Sequence, residues 1–114
     1  MTSDRSTLEG PLSPVFLEAS ELVGKRWTAA IIWALFHGHR RFGDLETVIP
    51  GLSARTLSTR LKELEAAGVL ERHVFAETPV RIEYRLTEKG LGLRAVMAAL
   101  ADWAYQWAAG QQPS

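Results

Sequence analysis

The chain has 114 residues, 46% of them hydrophobic, and a formal net charge of zero. That is enough for one core and one domain, near the lower end of what folds alone, so burial through a partner would help. The absence of cysteine excludes disulfides, thiolate metal sites and thiol redox switches. The longest apolar run, Ala29–Phe36, is far too short to cross a membrane, and the polar stretch Met1–Pro11 carries no signal-peptide pattern, so the cytoplasm is the expected location.

Residues 1–12, rich in Ser and Thr with Gly10-Pro11 at their end, read as a disordered arm ahead of a domain over 13–109. Ser13-Pro14 supplies an N-cap and a first-turn proline for a helix that runs to Val23 and stops at Gly24. A second helix is expected from Trp27 to His37, with Gly38 as its stop. Its large side chains cover nearly the whole circumference, the pattern of a central helix buried on several sides. Arg40-Arg41-Phe42 fits a short β-bridge. A short helix, Gly43–Ile49, then leads through Pro50-Gly51 to a second one capped by Ser53 and ended by Gly68. Two strands follow, Val69–Phe75 and Arg81–Leu86, around Thr78-Pro79. In the second, Ile82, Tyr84 and Leu86 alternate with Arg81, Glu83 and Arg85, as in a half-buried strand. Thr87-Glu88 opens a last helix reaching Ala108, and residues 110–114 form a polar tail.

A helix-turn-helix followed by a β-hairpin is the outline of a winged helix: mainly α with a small β-hairpin wing. That module places its second helix in the DNA major groove. Here Leu57, Leu61 and Leu64 line one side of that helix, while Arg55, Thr59 and Lys62 point the other way, flanked by Ser53, Thr56 and Ser58. These are donors suited to phosphates and base edges, and no carboxylate intervenes before Glu63. Charge is distributed accordingly. Residues 1–24 carry four acids and one base, residues 25–62 seven bases and two acids, and residues 63–86 five acids and three bases. The positive excess therefore coincides with the proposed reading helix, although a solvated face of mixed charge has the same composition.

Further cations lie near this face. Arg60, toward the edge of the buried side, suits a pair with a carboxylate or a phosphate. Arg81 beside the hairpin turn suits phosphate or the minor groove, or equally serves to discourage edge-strand association. Lys25 and Arg26, at a helix start, are candidates for backbone contact. His37 and His39 read as a surface pair at a helix end without further ligands, so no metal site or cofactor is expected.

On the last helix Leu93, Val96, Leu100, Trp103 and Trp107 form one stripe, expected to face the core. The other faces are mostly alanine, from Ala95 to Ala108. Alanine favours helix formation in any setting, but beside two tryptophans it also suits close packing against a second helix. A symmetric dimer built from the first and last helices, through Phe16, Leu100, Trp103 and Trp107, is the simplest arrangement.

The chain resembles the HxlR family of bacterial transcriptional regulators, relatives of the MarR-type winged-helix proteins, from Ser13 to about Trp103. The resemblance rests on the order and spacing of several segments. They are Leu22-Val23-Gly24-Lys25-Arg26-Trp27-Thr28, Gly38-His39-Arg40-Arg41-Phe42-Gly43-Asp44-Leu45, Pro50-Gly51-Leu52-Ser53 with Leu57 and Arg60-Leu61, Leu64-Glu65 with Gly68, and Pro79-Val80-Arg81-Ile82-Glu83-Tyr84 with Leu86-Thr87 and Gly90. It implies a homodimer that binds double-stranded DNA through paired winged helices, joined by its N- and C-terminal helices. Many members carry a cysteine immediately before the proline of the first helix, a thiol sensor in some of them. Ser13 stands there in this chain, so thiol sensing does not carry over.

Enzymatic chemistry finds no motif: there is no Gly-rich phosphate loop, no nucleophile elbow and no paired carboxylates on a cleft. Two alternatives stay open beside the DNA-binding regulator. One is a winged helix used as a protein-interaction module. The other is a regulator gated by a small-molecule effector in a tryptophan-lined pocket, against which stands the more ordinary role of tryptophan in core or dimer packing.

Overall fold

The computed structural model describes residues 10–109; the expected arm over 1–12 lies mostly outside them, and the expected tail over 110–114 wholly so. Helix α1 spans Pro14–Val23, opened by Ser13, whose hydroxyl accepts the Val15 and Phe16 N–H groups at 3.1 and 3.4 Å. None of its residues is buried. Helix α2, Thr28–Phe36, supplies the centre of the core through Ile31, Ile32, Ala34 and Leu35. It is shorter than expected at both ends. Trp27 takes a left-handed backbone (φ 80°) and so lies ahead of the helix, while His37 is its C-cap. Nor is the helix enclosed on every side. It packs against α1, the following helix, the second strand and the last helix, but Trp33 stays 49% exposed and stacks on His37. The apolar circumference of α2 exceeds what these neighbours cover.

Helix α3 is Phe42–Val48 and α4 is Ala54–Ala66, joined through Pro50 and Gly51. Leu45 of α3 and Leu57, Leu61 and Leu64 of α4 close the core over α2, together with Val69 and Leu70. Strands β1 (Leu70–Phe75) and β2 (Arg81–Leu86) pair antiparallel, from Leu70 opposite Leu86 to Phe75 opposite Arg81. The expected β-bridge at Arg40–Phe42 does not form. One hydrogen bond, Tyr84 N–H to the Arg40 carbonyl at 2.7 Å, joins that segment to β2, and the chain then enters α3 at Phe42. The sheet therefore has two strands.

The last helix is also not continuous. Thr87 caps a single turn, α5 (Glu88–Leu91); Gly92 and Leu93 form a turn, and α6 runs over Arg94–Ala109. Gly90 and Gly92 weaken the helix at this point by about 1 kcal/mol each relative to alanine. Gly90 is also fixed from outside, because a Cβ there would meet the Val69 carbonyl oxygen at 2.1 Å. Beyond the turn, the expected core-facing stripe points elsewhere. Leu93 and Met97 pack on the core, whereas Val96, Leu100, Trp103 and Trp107 are about half exposed or more. The inward line is Leu93, Met97 and Ala101, offset by one residue from the stripe of largest side chains.

Candidate nucleic-acid interface

Helix α4 is anchored by what it buries and addressed by what it leaves out. Leu57, Leu61 and Leu64 are each within 2% of full burial, which fixes its rotation about its axis. Arg55, Thr59 and Lys62 are consequently exposed, with Thr56, Ser58 and Arg60 half-buried between the two faces. At the N-terminus Ser53 Oγ accepts the Thr56 N–H at 3.1 Å and donates to Thr56 Oγ1 at 3.0 Å. Cap and first turn are thereby coupled. Thr59 donates its hydroxyl to the Arg55 carbonyl at 3.1 Å, which fixes its rotamer and leaves its oxygen to accept. No hydrogen bond or ion pair among the described residues occupies the Arg55 guanidinium or the Lys62 ammonium. The exposed half nearest the N-terminus thus offers charged donors and hydroxyl groups without a carboxylate among them.

Three other sequence candidates turn out to hold α4 in place. Lys25 bonds Glu63 Oε2 at 3.0 Å, and Arg60 approaches Glu63 Oε1 at 3.3 Å. Arg60 Nε also donates to the Arg26 carbonyl at 3.0 Å. Arg26 itself lies over the Trp27 indole, 4.8 Å from its centroid. The Trp27 ring in turn lies against the helix-turn-helix loop, 3.4 Å from where a Gly51 Cβ would sit. The α1–α2 connection is in this way tied to both the loop and α4. The Lys25 ammonium holds the Glu63 carboxyl below the ordinary glutamate range, against an opposing push from burial.

The wing is neutralised from within. Arg81 bonds Glu77 at 2.9 Å, pairs with Glu83, and lays its guanidinium over the Phe75 ring at 3.8 Å. Arg85 bonds Glu83 at 2.8 Å. Hydrogen bonds from Arg81 to Glu77 and from Arg85 to Glu83 lower both carboxyls. Arg81 is thus held by two carboxylates, and contact with phosphate would break those pairs. Exposed Arg72 on β1, opposite Tyr84, takes no part in this network and was not singled out by the sequence. Its only signal was a cation without an acid in cross-strand register.

The remaining candidates lie elsewhere. Phe16 on α1 is 56% exposed, and Leu100, Trp103 and Trp107 on α6 are 47%, 63% and 61% exposed. The four tryptophans do not converge on one pocket. Trp27 packs at the helix-turn-helix loop, Trp33 lines a small cavity against α6, and the other two are exposed on α6. His37 Nδ1 lies 2.8 Å from the Trp33 carbonyl oxygen, and His73 pairs with Glu71. Among the described residues no helix is long and apolar enough to cross a membrane.

A helix-turn-helix with a two-stranded hairpin against it defines a winged-helix transcriptional regulator. Comparison with known proteins carries this to the family. Residues 22–112 match the HxlR-like helix-turn-helix family, and the chain belongs to it. The uncharacterized HTH-type transcriptional regulator YvaP of Bacillus subtilis (strain 168) is 46% identical over 99 residues, covering 87% of this chain and 92% of YvaP. The reduced form of the transcriptional regulator YodB from B. subtilis superposes with a TM-score of 0.76 at 44% identity, covering 84% of this chain and 94% of YodB. The redox regulator HypR in its reduced form gives a TM-score of 0.76 at 30% identity, covering 82% and 92% of the two chains. These relatives are transcriptional regulators rather than enzymes.

Proposed function

We propose that the protein is a homodimeric regulator that binds a pseudo-palindromic operator, reading bases with the N-terminal half of α4. The observation that carries the reading is a carboxylate-free row, exposed Arg55 and Thr59 with half-buried Thr56 between them, on a helix whose other side is locked into the core. Ser58 and Lys62 extend that row toward the backbone. Arg72 adds a phosphate contact from the wing, while Lys25, Arg26 and Arg60 serve mainly to hold α4. Arg81 contributes at the wing only where phosphate displaces a carboxylate.

The homodimer is supported by surface that one protomer leaves bare. Val15, Phe16 and Leu17 of α1 are 79%, 56% and 42% exposed, and on α6 Val96, Leu100, Trp103 and Trp107 are 48%, 47%, 63% and 61% exposed. Buried tryptophans contribute about 150–250 Å² each, at roughly 25 cal/mol per Å². Two-fold symmetry in the protein then requires symmetry in the DNA, with half-sites about one helical turn or a small multiple apart. No cysteine is present to act as a switch, so regulation of the kind suggested by the redox names of YodB and HypR relatives has no thiol to work through.

Selection of bound duplexes from a random pool, followed by footprinting and a salt series, tests the reading. The expected result is a symmetric site whose affinity falls steeply with salt. A single unsymmetrical short site contradicts the dimeric mode. Salt-insensitive capture of a protein partner without any selected DNA establishes the interaction-module alternative instead.

A further inference from the structure

Two cavities adjoin one another, and no residue of α4 lines either of them. One, of about 450 Å³, is lined by Leu35, Tyr84 and three arginines, Arg40, Arg85 and Arg94 among others. The other, of about 190 Å³, lies between α2 and α6 and is lined by Trp33 and Met97. Phe36 and Arg94 line both, so the two form one groove with a cationic end and an apolar end. No Asp or Glu lines either part. Arg85 is paired with Glu83, but neither Arg40 nor Arg94 is in an ion pair among the described residues. The Arg94 guanidinium lies over the Phe36 ring, 4.7 Å from its centroid. Stacking occupies its face and leaves its in-plane N–H donors for a bidentate anion. Trp33 is held at the other end by stacking on His37, with ring centroids 3.9 Å apart.

We propose that this groove is an effector site for a small organic acid, with its carboxylate at Arg40 and Arg94 and a ring or short acyl body against Trp33, Phe36 and Met97. Arg40 and Arg94 line one cavity whose lining holds no carboxylate, so an anion bound there offsets like charge from both. Bound DNA phosphate supplies the charge but has no use for the Trp33–Met97 end, which is why a free acid fits better than the nucleic-acid backbone. The combined size is in the range of small-molecule sites. The ligand would bridge α2, β2 and α6, joining the wing to the helix with the largest exposed apolar side chains. As an effector the site rests on the regulator reading above; as an acid-binding site it stands on the groove alone.

The test titrates the full 114-residue chain with benzoate and hexanoate, and with acetate and inorganic phosphate as anions lacking the body, while following the Trp33 indole and Arg94 side-chain N–H signals by NMR. Saturable shifts are expected for benzoate or hexanoate only. Arg94→Gln and Arg40→Gln are each expected to weaken binding roughly tenfold, with partial recovery in Arg94→Lys. Met97→Trp, which fills the apolar end, is expected to remove binding while unfolding curves show whether the fold is kept. Equal binding of phosphate and benzoate, or no saturable shift with either apolar acid, overturns the site. DNA affinity is measured in parallel with and without the acid. A change of roughly fivefold in the wild type that is absent in Arg94→Gln supports the effector role, and an unchanged DNA affinity overturns it. A chain that binds the acid but no DNA leaves the site standing and removes the regulator reading. An Arg94→Gln loss of DNA binding without any acid response makes the groove a phosphate contact.

Discussion

At the residue scale the main distinction is between side chains that are free and those already committed. Arg55 and Thr59 are exposed on the outer side of α4, and the Thr59 rotamer is fixed by the Arg55 carbonyl. Arg55→Ala or Thr59→Ala is expected to relax sequence preference, by about 1–3 kcal/mol where a bidentate base contact is lost. Affinity for a selected and a scrambled duplex across a salt series reads this directly. Equal losses on both duplexes would mean that α4 does not read sequence. Glu63 belongs to the committed set. Because its carboxyl is held low in the folded chain, its pairing with Lys25 and Arg60 contributes stability above the ordinary glutamate range, and this is lost as pH falls through the folded value. Glu63→Gln is therefore expected to cost stability at neutral pH, by under about 1 kcal/mol for so exposed a pair, and to flatten the acid limb of the stability curve. Chemical denaturation at several pH values checks both. Pattern in the sequence separated the two faces of α4 correctly, since leucine spacing sets rotation. It did not reveal that Lys25 and Arg60 share one acid, because Lys25 and Glu63 are 38 positions apart and only the packed fold brings them together.

At the element scale, caps and turns were legible and long-range neighbours were not. Ser13 and Ser53 act locally and cap the helices expected of them, whereas Thr87 caps only the single turn α5 and not the long last helix. The β-bridge expected at Arg40–Phe42 and an unbroken last helix do not form, for reasons outside their own segments: the chain turns into α3 at Phe42, and Gly90 is pressed on the Val69 carbonyl. Gly90→Ala places a methyl group where that oxygen sits, so it is expected to destabilise by about 2 kcal/mol or more, seen as a lower denaturation midpoint. On the wing, Arg81 is occupied by Glu77 and Glu83 whereas Arg72 is not. Arg72→Ala is thus expected to weaken binding to all duplexes alike and lower the salt slope by about one unit. Arg81→Ala is expected to have the smaller effect on the slope, since its charge is already compensated.

At the scale of the whole molecule the radius of gyration is 16.5 Å, against about 13 Å for a compact domain of this length. Principal extents of 53 × 41 × 25 Å give the same picture of elements standing off the body. The stripe on the last helix had the spacing of a core face, and periodicity says only that a helix has an apolar side, never what covers it. Trp103→Asp, which would bury an unpaired charge in a two-fold interface, is expected to shift the protein toward its 12.6 kDa monomer in light scattering at micromolar concentration. A wild-type chain found only at that mass would remove the dimer, and with it the symmetric operator.

Trp27 holds a left-handed backbone that costs a residue with a side chain about 1–3 kcal/mol. Its indole lies on the Gly51 loop, and the two residues before it reach α4 through Glu63 and the Arg60 guanidinium. The joint after α1 is therefore tied to α4, and in the proposed dimer α1 would act as a lever with α4 at its far end. Tilting the two α1 helices relative to each other would alter the distance between the two copies of Arg55. A fixed operator tolerates only a narrow range of that distance. Small changes at the interface between copies would then register as whether the second half-site can be reached at all.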